Sequence, residues 1–300
     1  MSTKSIDNYI DKQSSFEKLN LRPDILKGIY LYGFNKPSHI QIKGIQAINS
    51  KKDCLLQSQS GTGKTATYLL GVLNSLDVNK KCQAIIITPT RELGEQVFSV
   101  AAELSKYSPF KLACCIGGTS IKEGFTNLKN CNVVIGTMGR IKHMIEIEKI
   151  KLNHIKLIVL DEADDILSIG YSETVLEFLS KIKGKAQICL ISATMSKSVF
   201  SVTDTFLNNP IKVLLKKNQV AVDVILQFYI NVEIEDYKFE TLLDLYNIIS
   251  TSQTIIFCNT IRKVSWLNDK LLENNFSITT VHGQMNQQER NNIVNEFRQG

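Results

Sequence analysis

With 300 residues, 43% of them hydrophobic, the chain is long enough for about two domains that each bury a core. No apolar run approaches the ~20 residues of a membrane span, and the polar opening MSTKSIDNYIDKQSS has no signal-peptide core, so no membrane contact and a reducing compartment are expected. The seven cysteines (54, 82, 114, 115, 131, 189, 258) are odd in number, scattered and without CxxC spacing, which argues against a disulfide framework or zinc site; the formal charge of +6 is compatible with a polyanionic partner.

In chain order, residues 1–15 read as a flexible leader. Apolar residues at helical spacing follow from Phe16 to Tyr32, and Gly33 interrupts them. Pro37 and Ser38 mark a new helix start, with Ser38 as its cap and Ile40, Ile45 and Ile48 as its apolar face. Short β-rich runs then alternate with helical stretches: Cys54–Leu56, 84–88, 112–117, 133–137, 157–161, 188–192 and 211–215. Nearly continuous apolar strands separated by helices predict an α/β fold whose parallel sheet is covered on both faces, with ligands at the carboxyl ends of the strands. That domain is expected over 16–215, followed by a linker at 216–224. A second, shorter alternation occupies 225–300, with strands at 226–232, 254–258 and 277–283.

The stretch LQSQSGTGKTA, Leu56 to Ala66, sits between a strand and a helix, the context of a phosphate-binding loop. Gly61 and Gly63 permit a sharp turn with inward-facing amides, and the helix dipole adds attraction for a polyphosphate. Lys64 reaches the β- and γ-phosphates and the Thr65 hydroxyl offers a Mg²⁺ ligand. Ser58 stands where the usual pattern has glycine. A second anchor is LIVLDEADDIL: an apolar strand ending in an acid places Asp161 as the carboxylate for Mg²⁺, and Glu162 as the group that orients or deprotonates the attacking water. The Lys64 and Asp161 motifs are expected on neighbouring strands of one sheet.

SQSGTGKT, Asp161-Glu162-Ala163-Asp164 and Ser192-Ala193-Thr194 together resemble the DEAD-box family of ATP-dependent RNA helicases. GFNKPSHIQ resembles that family's adenine-recognition motif, with Phe16 as its isolated upstream aromatic. PTREL, Gly117-Gly118 and TMGR resemble its RNA-contacting motifs, and IIFCNT with HGQMNQQER resembles the opening motifs of its second domain. The resemblance runs from about Phe16 to the last residue and implies a RecA-like (P-loop NTPase) domain followed by an incomplete second one. The wording between motifs resembles the translation-initiation-factor branch and its exon-junction paralogue.

The resemblance implies roles residue by residue. ATP would be held by Phe34, Lys36, Gln41, Ser60, Gly61, Thr62, Gly63, Lys64 and Thr65. Gln41 has an amide that suits the N6 and N7 edge of adenine; without the resemblance it reads as a helix-surface glutamine. One RNA strand would be held by Pro89, Thr90, Arg91, Gly117, Gly118, Thr137, Gly139, Arg140, Gly283, Gln287 and Arg290, through phosphates and sugars. Arg91 and Glu92 as a simple surface pair is the other reading, and Met138 replaces the proline usual in the TMGR motif. Ser192 and Thr194, bonded to Asp164, would couple the γ-phosphate state to the RNA surface. The implied activity is ATP hydrolysis driving RNA binding and unwinding, with ATP and Mg²⁺ as cofactors. The implied partners are mRNA and scaffold proteins of translation initiation, in the cytoplasm, or an ATP-gated RNA clamp in the nucleus for the exon-junction type. The family's later arginine motifs would lie beyond Gly300, so binding of ATP with slow hydrolysis is expected of the chain as it stands.

Overall fold

The computed structural model describes residues 15–59, 61–118, 128–168, 172–182, 184–214, 226, 228–251 and 253–300. Ser60, nearly all of the leader and the 216–224 linker lie outside them. The chain divides into two compact units, Met1–Val222 and Asp223–Gly300. Among the described residues no helix is long and apolar enough to cross a membrane.

The first unit is built on strands β1 (Cys54–Gln57), β2 (Ala84–Thr88), β3 (Leu112–Cys115), β4 (Val133–Thr137), β5 (Leu157–Leu160), β6 (Gln187–Ser192) and β7 (Ile211–Leu214). They form one seven-stranded sheet in the order β3-β4-β2-β5-β6-β1-β7, and its pairings are all parallel. The reason the runs are continuously apolar is visible in the packing. Cys54, Leu56, Ala84 and Ile86 face one core, while Leu55, Ile85 and Ile87 face the other. Alternate side chains of these inner strands meet opposite helical layers, so neither of their faces reaches water, whereas Lys212 and Leu214 on the edge strand β7 are exposed. Each fully buried Leu or Ile contributes roughly 1.5–3 kcal/mol.

The expected 16–32 helix is two pieces: a 3₁₀ turn at Phe16–Leu19 and helix α1 at Pro23–Leu31. Asn20 is left-handed (φ 52°) and Pro23 opens α1, so the backbone must bend between them. Helix α2 (His39–Asn49) begins with a capping box: Gln41 N–H reaches Ser38 Oγ, and Ser38 N–H donates to Gln41 Oε1 at 2.7 Å. Helices α3 (Lys64–Ser75) and α4 (Arg91–Leu104) follow β1 and β2 directly.

The second unit has helices α9 (Tyr237–Ile248), α10 (Ile261–Glu273) and α11 (Gln287–Gln299), the first unit contributing the other described helices α5–α8 (Met138–Glu146, Ala163–Ser168, Ser172–Ile182 and Lys197–Phe206). Thr260 and Asn286 cap α10 and α11. Here the expectation of three strands is corrected: the described residues of 226–232, 254–258 and 277–283 carry no strand. A strand is held by a ladder partner and a buried face. These stretches have neither, for Tyr229 is 92% and Phe257 91% exposed. Contacts among helices and loops remain, such as Leu267 and Leu271 buried on α10 and the Tyr246 and Phe276 rings at 5.0 Å.

Gly136 in β4 marks the closest approach of two strands, since a Cβ there would fall 1.9 Å from the Cys115 carbonyl oxygen of β3. Gly136→Ala must push β3 aside and is expected to destabilise by about 1–3 kcal/mol. Urea unfolding checks this; an unchanged midpoint would contradict the close approach.

Candidate ATP and RNA site

The loop after β1 turns at Gly61 (φ 80°) and Gly63 (φ 94°), left-handed conformations that glycine adopts without strain. At Gly63 a side chain would also meet Gln41 Nε2 at 2.9 Å. Ser38 Oγ donates to the Thr62 carbonyl at 3.0 Å, so the start of α2 is fastened to the loop. Gln41 is only 3% exposed and is therefore no helix-surface residue; its oxygen serves the capping box beside the loop. Phe34 is half-buried against the rings of Phe16 and Tyr32, and Lys36 is exposed. Ser58, in the position where glycine was expected, is buried and its hydroxyl lies 2.7 Å from that of Thr62. It ties the two arms of the loop together.

Lys64 is buried at the first position of α3, where its ammonium donates to the Ser58 carbonyl at 2.8 Å and lies 3.7 Å from Glu162 Oε1. One turn on, Tyr68 donates its hydroxyl to Asp161 Oδ2 at 2.6 Å. The two motifs thus share one corner, although the expectation of neighbouring strands is corrected: β6 lies between β1 and β5. Helix α3 spans the gap, because residues four apart share a helix face.

Burial pushes Asp161 up to about 6; the Tyr68 hydrogen bond and the Lys64 charge oppose this, and the Glu162 charge adds to it. Glu162, itself left-handed at φ 47°, is raised mainly by burial, with Lys64 working against the shift. Asp164 behaves oppositely. Burial would raise it, but hydrogen bonds from Thr194 and Ser192 outweigh that and hold it below its ordinary value. Its Oδ2 accepts from Thr194 N–H at 3.1 Å and from Thr194 Oγ1 at 2.5 Å, while Ser192 Oγ donates to the Thr194 carbonyl at 2.6 Å.

On the other half of the sheet, Thr88 and Thr137 are paired at the ends of β2 and β4. Pro89, Thr90 and Arg91 continue from the first, and Met138, Gly139 and Arg140 from the second. Thr90 caps α4. The Arg91 guanidinium lies along Gly117 and Gly118, where a Cβ would stand 2.9 Å from Nη2 or 3.2 Å from Nη1. Arg140 is half-buried, near enough to Cys115 that its charge opposes the upward push of burial on that thiol, which reaches about 12. Gly283, Gln287 and Arg290 belong to the second unit, at and just before the start of α11, with Gln287 Nε2 donating to Asn291 Oδ1 at 3.1 Å. A cavity of about 830 Å³ opens at the opposite edge of the sheet, lined by residues such as Lys52, Lys156 and Gln187, and includes none of these groups.

Residues 38–202 match the DEAD/DEAH box helicase family. The chain belongs to the DEAD-box RNA helicases. Residues 237–300 match the helicase conserved C-terminal domain, so the second unit is a partial helicase domain. The chain is 43% identical over 291 residues to the ATP-dependent RNA helicase FAL1 of Kluyveromyces lactis, covering 96% of this chain and 73% of that one. It is also 43% identical over 295 residues to the ATP-dependent RNA helicase eIF4A of Botryotinia fuckeliana, covering 98% and 74%. Among solved structures, Saccharomyces cerevisiae Dbp5 bound to RNA and ADP BeF3 is similar, with a TM-score of 0.86 and 32% identity over 96% of this chain and 74% of that one. The chain is thus an ATP-dependent RNA helicase of the kind that includes eIF4A and FAL1, with the RecA-like parallel sheet of P-loop enzymes.

The sequence reading missed Tyr68. Its signal was a hydroxyl in the buried run of α3, four residues after Lys64.

The raised Asp161 value has a consequence for stability. Without nucleotide and metal, the native state holds this proton more tightly than the unfolded chain, whose value is near 3.8. The carboxyl is therefore least costly below pH 3.8, and its cost grows as pH rises to about 6 and is constant above that. On the order of 3 kcal/mol is involved. Asp161→Asn should remove this dependence, so that the stability of the variant relative to the parent rises between pH 4 and pH 6; chemical denaturation across that range measures it.

Proposed function

We propose that this helicase binds and hydrolyses ATP with Lys64, Thr65, Asp161 and Glu162, and uses that cycle to grip and pry apart short RNA duplexes in translation initiation. The observation that carries the reading is the meeting of Lys64, Tyr68, Asp161 and Glu162 at one corner of the sheet. The Lys64 ammonium, bonded to a carbonyl and facing a carboxylate, is placed to exchange those partners for phosphate oxygens. Glu162 beside it takes the proton of the attacking water as oxygen bonds to the γ-phosphorus and the bond to ADP breaks. Gln41 and Gly63 give the base and the first phosphates a common wall, with Phe34 and Lys36 from the preceding loop.

Magnesium fits the donor set. The Thr65 hydroxyl and the Asp161 carboxylate are hard oxygen ligands, and Mg²⁺ takes few protein ligands while keeping waters and phosphate oxygens. Held there, the ion would supply charge neutralisation to the triphosphate.

In this reading RNA runs on the other half of the first unit's carboxyl edge, along Thr90, Arg91, Gly117, Gly118, Thr137, Gly139 and Arg140; Gly283, Gln287 and Arg290 are RNA-binding candidates of the second unit taken by itself. The guanidinium lying on side-chain-free glycines favours a partner whose backbone approaches closely, as a phosphodiester strand does. The Ser192–Thr194–Asp164 bonds supply the link between acid motif and β6 through which the phosphate state would be felt. Identity to eIF4A supports initiation scaffolds as partners and a cytoplasmic setting. The wording QSQSGTGKT and IIFCNT supports the second reading of a nuclear, ATP-gated clamp. Co-purification distinguishes them: cap-binding initiation subunits support the first, exon-junction partners the second.

Lys64→Ala is expected to abolish ATP-driven unwinding; retained unwinding in a strand-displacement assay would overturn the site. Arg91→Ala should weaken binding to single-stranded RNA about equally for unrelated sequences and reduce the salt slope by about one. A loss confined to one sequence would contradict phosphate contact.

A further inference from the structure

Tyr68 is fully buried, yet its hydroxyl is directed at the buried Asp161 carboxylate. It donates to Asp161 Oδ2 at 2.6 Å. The other carboxylate oxygen, Oδ1, accepts from Glu162 N–H at 3.1 Å. Asp161 is thereby held at both oxygens before any ligand arrives.

A phenylalanine would fill the same core volume. It would leave a buried carboxylate oxygen without that donor, and an unsatisfied buried acceptor is costly. The phenol is therefore needed for its proton rather than its ring. Burial raises the tyrosine well above its ordinary value, with the Asp161 charge adding to the effect, so the proton stays on Tyr68.

We propose that Tyr68 is a positioning residue for the metal-dependent half of ATP binding: by donating to Asp161 Oδ2 it fixes that carboxylate as a preorganised oxygen donor. It touches neither nucleotide nor metal, and acts through the carboxylate that would. The inference rests on the ATP-site reading above and adds to it a residue from the interior of the core.

The test compares Tyr68→Phe with the parent chain, using a fluorescent ATP analogue titrated in EDTA and again at graded Mg²⁺, with melting curves for both proteins. Removing the group behind a metal ligand typically weakens metal affinity 10- to 100-fold. The half-saturating Mg²⁺ concentration for nucleotide binding should accordingly rise about 10-fold or more, while affinity in EDTA changes less than about 2-fold. An unchanged Mg²⁺ dependence would overturn the proposal. So would a parallel loss with and without Mg²⁺, because that is the mark of a loosened loop rather than a misplaced carboxylate. If the parent chain fails to bind the analogue at all, the ATP site itself is wrong and this inference falls with it; binding by the parent separates the two failures.

Discussion

Everything at the working edge of this protein depends on burying charge in one corner without leaving it uncompensated. Asp161 is 2% exposed and Lys64 7%, and each would be expensive alone. Their proximity, with Glu162 at 3.7 Å from the ammonium and Tyr68 donating to Asp161, makes the burial tolerable. The balance is incomplete, as the upward shift of Asp161 to about 6 records. A site left short of positive charge is a site that favours a cation, and Mg²⁺ with a polyphosphate supplies both the charge and the matching anion.

The order of the strands divides that edge into two groups of motifs. β5, β6 and β1 bring the acid motif, Ser192 and the phosphate loop side by side, while β3, β4 and β2 bring Gly117, Thr137 and Thr88 together. Asp161 N–H bonds the Ile87 carbonyl of β2, so the two halves join where the acid motif begins. The strand that carries the acid motif is thus the immediate neighbour of the strand that leads to Arg91. The Thr194 bonds to Asp164 tie β6 to the helix after the acid motif, extending the same rigid layer.

The glycines of both halves serve one purpose, close approach. Gly63 leaves room for the Gln41 amide, and Gly117 leaves room for a guanidinium. In each case a polar side chain from a different element lies against bare backbone. That arrangement puts hydrogen-bonding groups of side chain and main chain on one surface, which is what a phosphate or a sugar edge engages.

Strands of the first unit were legible because seven short apolar runs, each bounded by polar or glycine-containing segments, have few other ways to be buried, and the phosphate loop and acid motif were legible because their chemistry requires those residue types at fixed spacing. Local hydrogen-bonding rules were enough for the Ser38 cap. Three things were decided only in three dimensions. The order of strands put β6 between the two motifs, a matter of long-range pairing to which local pattern is blind. The second unit's runs, read as strands from apolar content alone, remain without ladders, since a strand exists only with a partner to bond. Tyr68 lies 93 positions before Asp161, and no spacing rule connects a core tyrosine to a distant carboxylate; only the packing of α3 across the sheet makes its hydroxyl part of the site.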